Sequence, residues 1–185
     1  MVISDDRADS IGTDDEGDTE RISANGPWLT DQQQRVWRSY LTMWRMLNDR
    51  IERDMQQHGG MPVAYYLVLS MLSEAPDRRL RMNRLAEIVG FSQSRLSHAV
   101  SRLEELGWIQ REPAAADKRG QIAALTDAGY SRLVEVAPLH AETVRSIMFD
   151  PLATEQLESL ESVCTAILQA EADRADSVCG TELQT

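Results

Sequence analysis

The sequence predicts a mostly helical protein carrying one small β-wing, and three observations carry that prediction. Apolar residues recur at spacings of three and four along most of the chain, as in Trp37, Leu41, Trp44, Leu47, Ile51 and Met55. This period is lost after Gly107, where two short β-prone runs flank a turn containing Pro113, Asp117, Lys118, Arg119 and Gly120. Glycine and proline punctuate the helical stretches at Gly59-Gly60, Pro76, Gly90 and Pro151.

The elements follow in order. Residues 1–27 are rich in Asp and Glu and poor in hydrophobes, the composition of a disordered tail. A helix is predicted from about Leu29 to His58, capped by Thr30 or Asp31 and ended by the glycine pair. A second runs from Pro62 to about Glu74, with proline suited to its first turn. After the Ala75-Pro76-Asp77 break, Leu80-Arg81-Met82 reads as a short extended piece. Arg84–Val89 makes a compact helix that Gly90 stops. Ser92 caps the next helix, whose inner stripe is Leu96, Val100, Leu103 and Leu106. Trp108–Arg111 and Gln121–Leu125 are the two strands of the hairpin. Thr126 caps a long helix to about Met148, and a last helix runs from Thr154 to about Arg174. The expected organisation is an acidic tail at 1–27, an N-terminal dimerisation helix at 28–60, and a lobe at 61–125. C-terminal dimerisation helices at 126–175 and a flexible tail at 176–185 complete it.

The chain of 185 residues has a formal charge of −11, which taken whole argues against a nucleic-acid partner. Divided along the chain, it argues the reverse. Residues 1–31 hold nine acids against two arginines, and residues 126–185 hold eleven against three. Residues 77–120 instead hold nine Lys and Arg against six acids. The positive charge sits in the lobe, and for DNA binding the distribution of charge outweighs the isoelectric point.

A short helix, a turn at Gly90-Phe91-Ser92 and a second helix form a helix-turn-helix pattern. With Leu96, Val100 and Leu103 turned inward, the second helix is left with Ser92, Gln93, Ser94, Arg95, Ser97, His98, Ser101 and Arg102 on its outer surface. No acid intervenes before Glu104. Arginine pairs with guanine, glutamine with adenine, and serine with bases or phosphates, so this face suits the major groove of duplex DNA. A polar helix face is also what plain solvation produces; the basic hairpin that follows at once tips the reading toward DNA. At the hairpin tip, Lys118 and Arg119 supply charge, and Arg119 is long enough to enter a minor groove. Asp117 can accept hydrogen bonds that orient the loop or the arginine.

The run Arg84-Leu85-Ala86, Ser92 to Ser97, Arg102-Leu103-Glu104-Glu105-Leu106-Gly107-Trp108-Ile109, Arg111, Asp117-Lys118-Arg119-Gly120 and Leu125-Thr126-Asp127-Ala128-Gly129 resembles the MarR family. The resemblance spans about Leu29 to Arg174, and its specific part is Leu103 to Gly129. It implies a bacterial transcription regulator with a winged helix-turn-helix lobe. It further implies a homodimer whose N- and C-terminal helices interdigitate. On that resemblance Ser92–Leu106 is the recognition helix, Arg119 the wing arginine and Asp117 its orienting partner. The expected function is sequence-specific binding to a pseudo-palindromic operator, with repression as the expected mode. A winged-helix module used only for protein–protein contact is the alternative. The acidic tail and the apolar Pro113–Ala116 segment depart from the family pattern.

Dimerisation also follows from the pattern itself, because Trp37, Trp44 and Leu47, and Leu157, Leu160 and Ile167, need a partner surface that the lobe does not supply. Family resemblance further implies release by a small aromatic or phenolic effector. Trp37, Tyr40, Met43, Trp44, Tyr65, Tyr66 and His140 are the candidates to line its pocket, although such a stripe is more often the pattern of an ordinary core. An enzyme is not expected. Three histidines, His58, His98 and His140, and two cysteines, Cys164 and Cys179, form no triad, phosphate loop or metal-ligand spacing, so no cofactor or metal is expected either. One thiol is expected to be buried and the other to lie in the tail. With no secretory signal and no membrane segment expected, the location is the cytoplasm, on the nucleoid.

Overall fold

The computed structural model describes the backbone of residues 28–114 and 117–181, and the side chains of residues 28–113 and 120–174. The expected tail at 1–27 lies outside the described residues. Six helices are described here: α1 Asp31–Gln57, α2 Val63–Glu74, α3 Met82–Val89, α4 Gln93–Glu105, α5 Asp127–Val144 and α6 Thr154–Thr181. Three short strands, β1 Arg79–Arg81, β2 Ile109–Ala114 and β3 Asp117–Leu125, form an antiparallel sheet in the order β1-β3-β2.

The chain divides into two compact units at Met46 and Leu47, inside α1 rather than at residue 60. The reason is visible in the second half of that helix. Ile51 packs against the lobe core and Met55 is fully buried in it.

In the first unit, α1 starts with a reciprocal cap. The Thr30 amide donates to Gln33 Oε1 at 2.9 Å, and the Gln33 amide donates to Thr30 Oγ1 at 3.3 Å. Of the two expected caps, Thr30 is the one used. Val36, Trp37, Tyr40, Leu41, Met43, Trp44 and Met46 are all exposed, and Trp37 stacks on Tyr40 with ring centroids 5.8 Å apart.

The second unit is built on one apolar cluster: Met55, Met61, Val68, Leu69, Leu72, Leu85, Leu96, Val100, Leu103, Ile109, Ala123, Leu125, Leu133 and Val136. Each fully buried aliphatic or methionine side chain contributes about 1.5–3 kcal/mol by leaving water. The spacing of Leu96, Val100 and Leu103 puts one face of α4 into this cluster and turns the other outward.

Between α2 and β1 the chain passes through a 3₁₀ turn, Pro76–Arg78. Asp77 and Arg78 take φ values of 53° and 56° there, a left-handed conformation uncommon for residues with a Cβ. Arg78 is held by an ion pair to Asp127 at 3.3 Å and by the Tyr130 ring at 3.9 Å. Met82, expected in the extended piece, begins α3 instead, because β1 ends at Arg81, the last extended residue before the helix.

The hairpin strands are longer than predicted. β2 continues through Pro113 to Ala114, and β3 begins at Asp117. Proline is tolerated because β2 is an edge strand of the sheet.

Three C-terminal expectations need correction. Residues 145–149, within the predicted long helix, form a π-helical turn after α5. α6 continues past Arg174 to Thr181, into the stretch expected to be a loose tail, because no proline interrupts 175–179. Every described side chain of α6 except Leu160 is exposed. Cys164 is therefore exposed rather than buried, since nothing among the described residues covers its face of the helix. Cys179 lies outside the described side chains. No helix among the described residues is long and apolar enough to cross a membrane.

Candidate nucleic-acid interface

Two left-handed glycines and one serine shape the helix-turn-helix. Gly90 closes α3 at φ 67°, which lets the Phe91 amide reach back to the Ala86 carbonyl at 3.0 Å. Ser92 then opens α4, its hydroxyl accepting from the Arg95 amide at 3.2 Å. Gly107, at φ 73°, ends α4 in the same way, with the Trp108 amide donating to the Leu103 carbonyl at 2.9 Å.

This frame leaves Ser92, Gln93, Ser94, Arg95, Ser97, His98 and Arg102 exposed on one side of the lobe. Ser92 and Ser94 exchange a hydroxyl hydrogen bond at 3.2 Å. The Arg95 guanidinium lies 4.0 Å from the centre of the Phe91 ring, which props it at the N-terminal end of the helix. Arg102 pairs with Glu105 one turn on. That pair is well exposed on both sides, as is Arg84–Glu87 at 3.1 Å. Exposed pairs of this kind are worth about 0–1 kcal/mol, so a phosphate competes with them easily.

Ser101 does not share this surface. It is half-buried, and its hydroxyl accepts from Arg111 Nη2 at 2.6 Å. Arg111 on β2 is the residue that sequence reasoning left without a role. A signal was present: it lies two positions after the buried Ile109, on the strand face that packs against α4. Its partners number three, Ser97, Ser101 and Glu104. The side chains of Asp117, Lys118 and Arg119 lie outside the described residues; the backbone places all three at the start of β3, where Asp117 pairs with Ala114 across the turn.

The aromatic residues expected to line an effector pocket are distributed over both units. Trp37, Tyr40, Met43 and Trp44 belong to the exposed stripe of the first. In the second, Tyr65 and Tyr66 are half-buried against the core, and Tyr66 stacks on His140 with centroids 4.3 Å apart. Burial pushes the His140 imidazole below its ordinary value of 6.5 and the Tyr66 hydroxyl above 10.0. For His140 the consequence has a definite sign. Above pH 6.5 both folded and unfolded chains carry it neutral, so it contributes no pH dependence. As pH falls through 6.5 the unfolded chain takes up the proton first, and stability drops. The His140→Phe variant is expected to flatten this part of the stability profile, measured by urea denaturation on either side of pH 6.5. An unchanged slope would show that His140 is not the group responsible.

Comparison with known proteins converges on one family. The MarR family model matches residues 59–120. Sco3205 of Streptomyces coelicolor, a MarR family transcriptional regulator solved in complex with DNA, is 47% identical to the chain. The match has a TM-score of 0.72 and covers 77% of this chain and 93% of that one. AbsC, a MarR family transcriptional regulator of the same organism, is 37% identical with a TM-score of 0.72, over 79% of this chain and 98% of that one. The HTH-type transcriptional regulator MhqR of Bacillus subtilis is 23% identical over 141 residues, 76% of this chain and 92% of its own length.

Proposed function

The chain belongs to the MarR family of transcriptional regulators, and from that premise we propose that it reads a pseudo-palindromic operator as a homodimer and represses transcription there. The observation that carries this reading is the outer face of α4. From Ser92 to His98 it offers hydroxyls, an amide, an imidazole and an arginine, with no carboxylate among them. Gln93, Ser94, Arg95, Ser97 and His98 enter the major groove, where Arg95 and Gln93 carry base recognition. The first turn of α4 and Arg102 anchor phosphates. Lys118 and Arg119 at the wing tip follow the adjacent minor groove, with Asp117 orienting the arginine. Two lobes related by a two-fold axis meet half-sites about 34–36 Å apart.

The dimer is supported by the apolar residues left exposed on α1 and α6. Trp37, Leu41, Val163, Ile167 and Leu168 exceed what a lone soluble helix usually shows to water. We extend the reading to release by a small aromatic or phenolic molecule, supported by the concentration of aromatic side chains on α1 and α2 and by the Tyr66–His140 stack.

The test is binding of the purified protein to DNA upstream of its own gene, titrated against salt, beside random duplex and beside the Arg119→Ala variant. Expected is a preference for specific DNA and affinity that falls steeply with salt. Loss of the wing arginine should lower affinity about 5–100-fold and reduce the salt slope by about 1. Equal binding to all duplexes, at the upstream region and in a genome-wide selection, would defeat the proposal. Effector release is checked by tryptophan fluorescence and DNA affinity across a panel of phenols and aromatic acids; no response in either would remove that part.

A further inference from the structure

The two DNA-reading elements proposed above, the outer face of α4 and the tip of the wing, stand on separate pieces of backbone. A reader that uses both grooves at once needs their separation fixed. Core packing holds the base of the hairpin through Ile109 and Leu125. Ala123, paired with Arg111, is the last residue of the hairpin in that core, and at this level one side chain of β2 reaches across to the helix.

That side chain is Arg111. Its Nη2 donates to the Ser97 carbonyl at 2.9 Å and to the Ser101 hydroxyl at 2.6 Å. Its Nε lies 3.6 Å from Glu104 Oε2, an ion pair without a hydrogen bond, and its own amide donates to Glu104 Oε1 at 3.3 Å. The side chain is only 20% exposed. Three residues of α4, spread over two turns, are thus gripped from one position on β2. The alternation of the strand puts an arginine where an aliphatic residue would extend the core. An aliphatic residue there would pack, but it would let the strand slide along the helix. A planar fork with donors in fixed directions sets both distance and register.

We propose that Arg111 is a positioning residue for DNA recognition: it locks the wing to the recognition helix so that the two meet adjacent grooves together. Arg111 itself touches no DNA. This inference rests on the DNA-reading function proposed above. It separates Arg111 from the other arginines of the lobe: its loss lowers discrimination rather than general attraction to DNA.

The decisive variant is Arg111→Lys, which keeps the charge and discards the fork. The probes are the duplex that the wild type selects from a randomised pool, and random duplex. Arg111→Lys is expected to lose about tenfold or more in affinity for the selected duplex, the size of losing a good base contact. Its affinity for random duplex should stay within about twofold, because the charge count is unchanged. Amide hydrogen exchange of the free protein should show β2 and β3 exchanging faster beyond Ile109 while α4 stays protected. Glu104→Gln, a milder change, should lower the ratio of selected to random affinity in the same direction. It serves in place of Arg111→Lys if that variant does not fold.

An unchanged ratio, an equal fall for both duplexes, or wing amides as protected as in wild type would overturn the proposal. A wild type without any duplex preference would instead defeat the DNA-reading function. The exchange experiment would still judge the clasp on its own.

Discussion

Gly129→Ala is expected to lower the melting temperature by about 5–10 °C, although alanine is the better helix former. The position is in the first turn of α5, packed against the end of the hairpin. A Cβ built there lies 2.2 Å from the Trp108 carbonyl oxygen and 2.8 Å from Leu125 Cδ1. The leucine tip can turn aside; the carbonyl cannot, because the Thr126 amide bonds to it at 3.0 Å. Alanine gains about 1 kcal/mol of helix propensity over glycine. Overpacking against fixed backbone typically costs about 1–3 kcal/mol and at times more. A contact this short belongs at or beyond the upper end, so strain wins. In a chain of this size each kcal/mol moves the midpoint by about 2–4 °C. Thermal denaturation followed by circular dichroism measures the effect; an unchanged or raised midpoint would mean that α5 shifts away from Trp108 without penalty.

Ile167→Asp is expected to convert the proposed dimer to a monomer and to weaken binding to the proposed operator by about a hundredfold or more. Ile167 is 61% exposed on α6, among Val163 and Leu168. A carboxylate on a solvated helix surface changes the fold of the single chain little. Buried without a partner in an apolar interface, it carries a desolvation penalty of several kcal/mol. The monomer then loses the second half-site, which linkage makes worth about 10²–10⁴ in affinity. Light scattering with size-exclusion chromatography reads the assembly state, and operator titration reads the rest. A variant that stays dimeric and binds as before would place the interface elsewhere.

The boundaries that special residues set were legible in the sequence. Gly90, Ser92, Gly107 and Thr126 each act within a few residues, and each stands where the pattern places it. The inner stripe of α4 was legible too, save that Leu106 is exposed: it falls at the helix end, where Gly107 turns the chain away. What depends on distant partners was not legible. Ser101 has the chemistry of a DNA contact, but a strand ten residues later claims its hydroxyl. Arg111 reads as one more basic residue in the sequence, because its partners Ser97, Ser101 and Glu104 lie on α4, seven to fourteen positions earlier. Cys164 sits on an apolar-looking helix that no other element among the described residues covers. The split of α1 between two units has no local signal, because the helical period runs unbroken through Leu47.

Thr126 has a consequence beyond capping. Its hydroxyl accepts from the Gly129 amide at 3.0 Å and donates to the Gly107 carbonyl at 2.8 Å. A single oxygen atom therefore pins the first turn of α5 to the residue that ends α4. The two hydrogen bonds tie the start of α5 directly to the end of α4. α5 is about 27 Å long, so a tilt of about 5° about this point sweeps its far end through about 2 Å. Thr126→Val would keep the shape of the side chain and remove both hydrogen bonds, a loss of about 1–2 kcal/mol from the cap, while the Thr126 amide would still hold the Trp108 carbonyl.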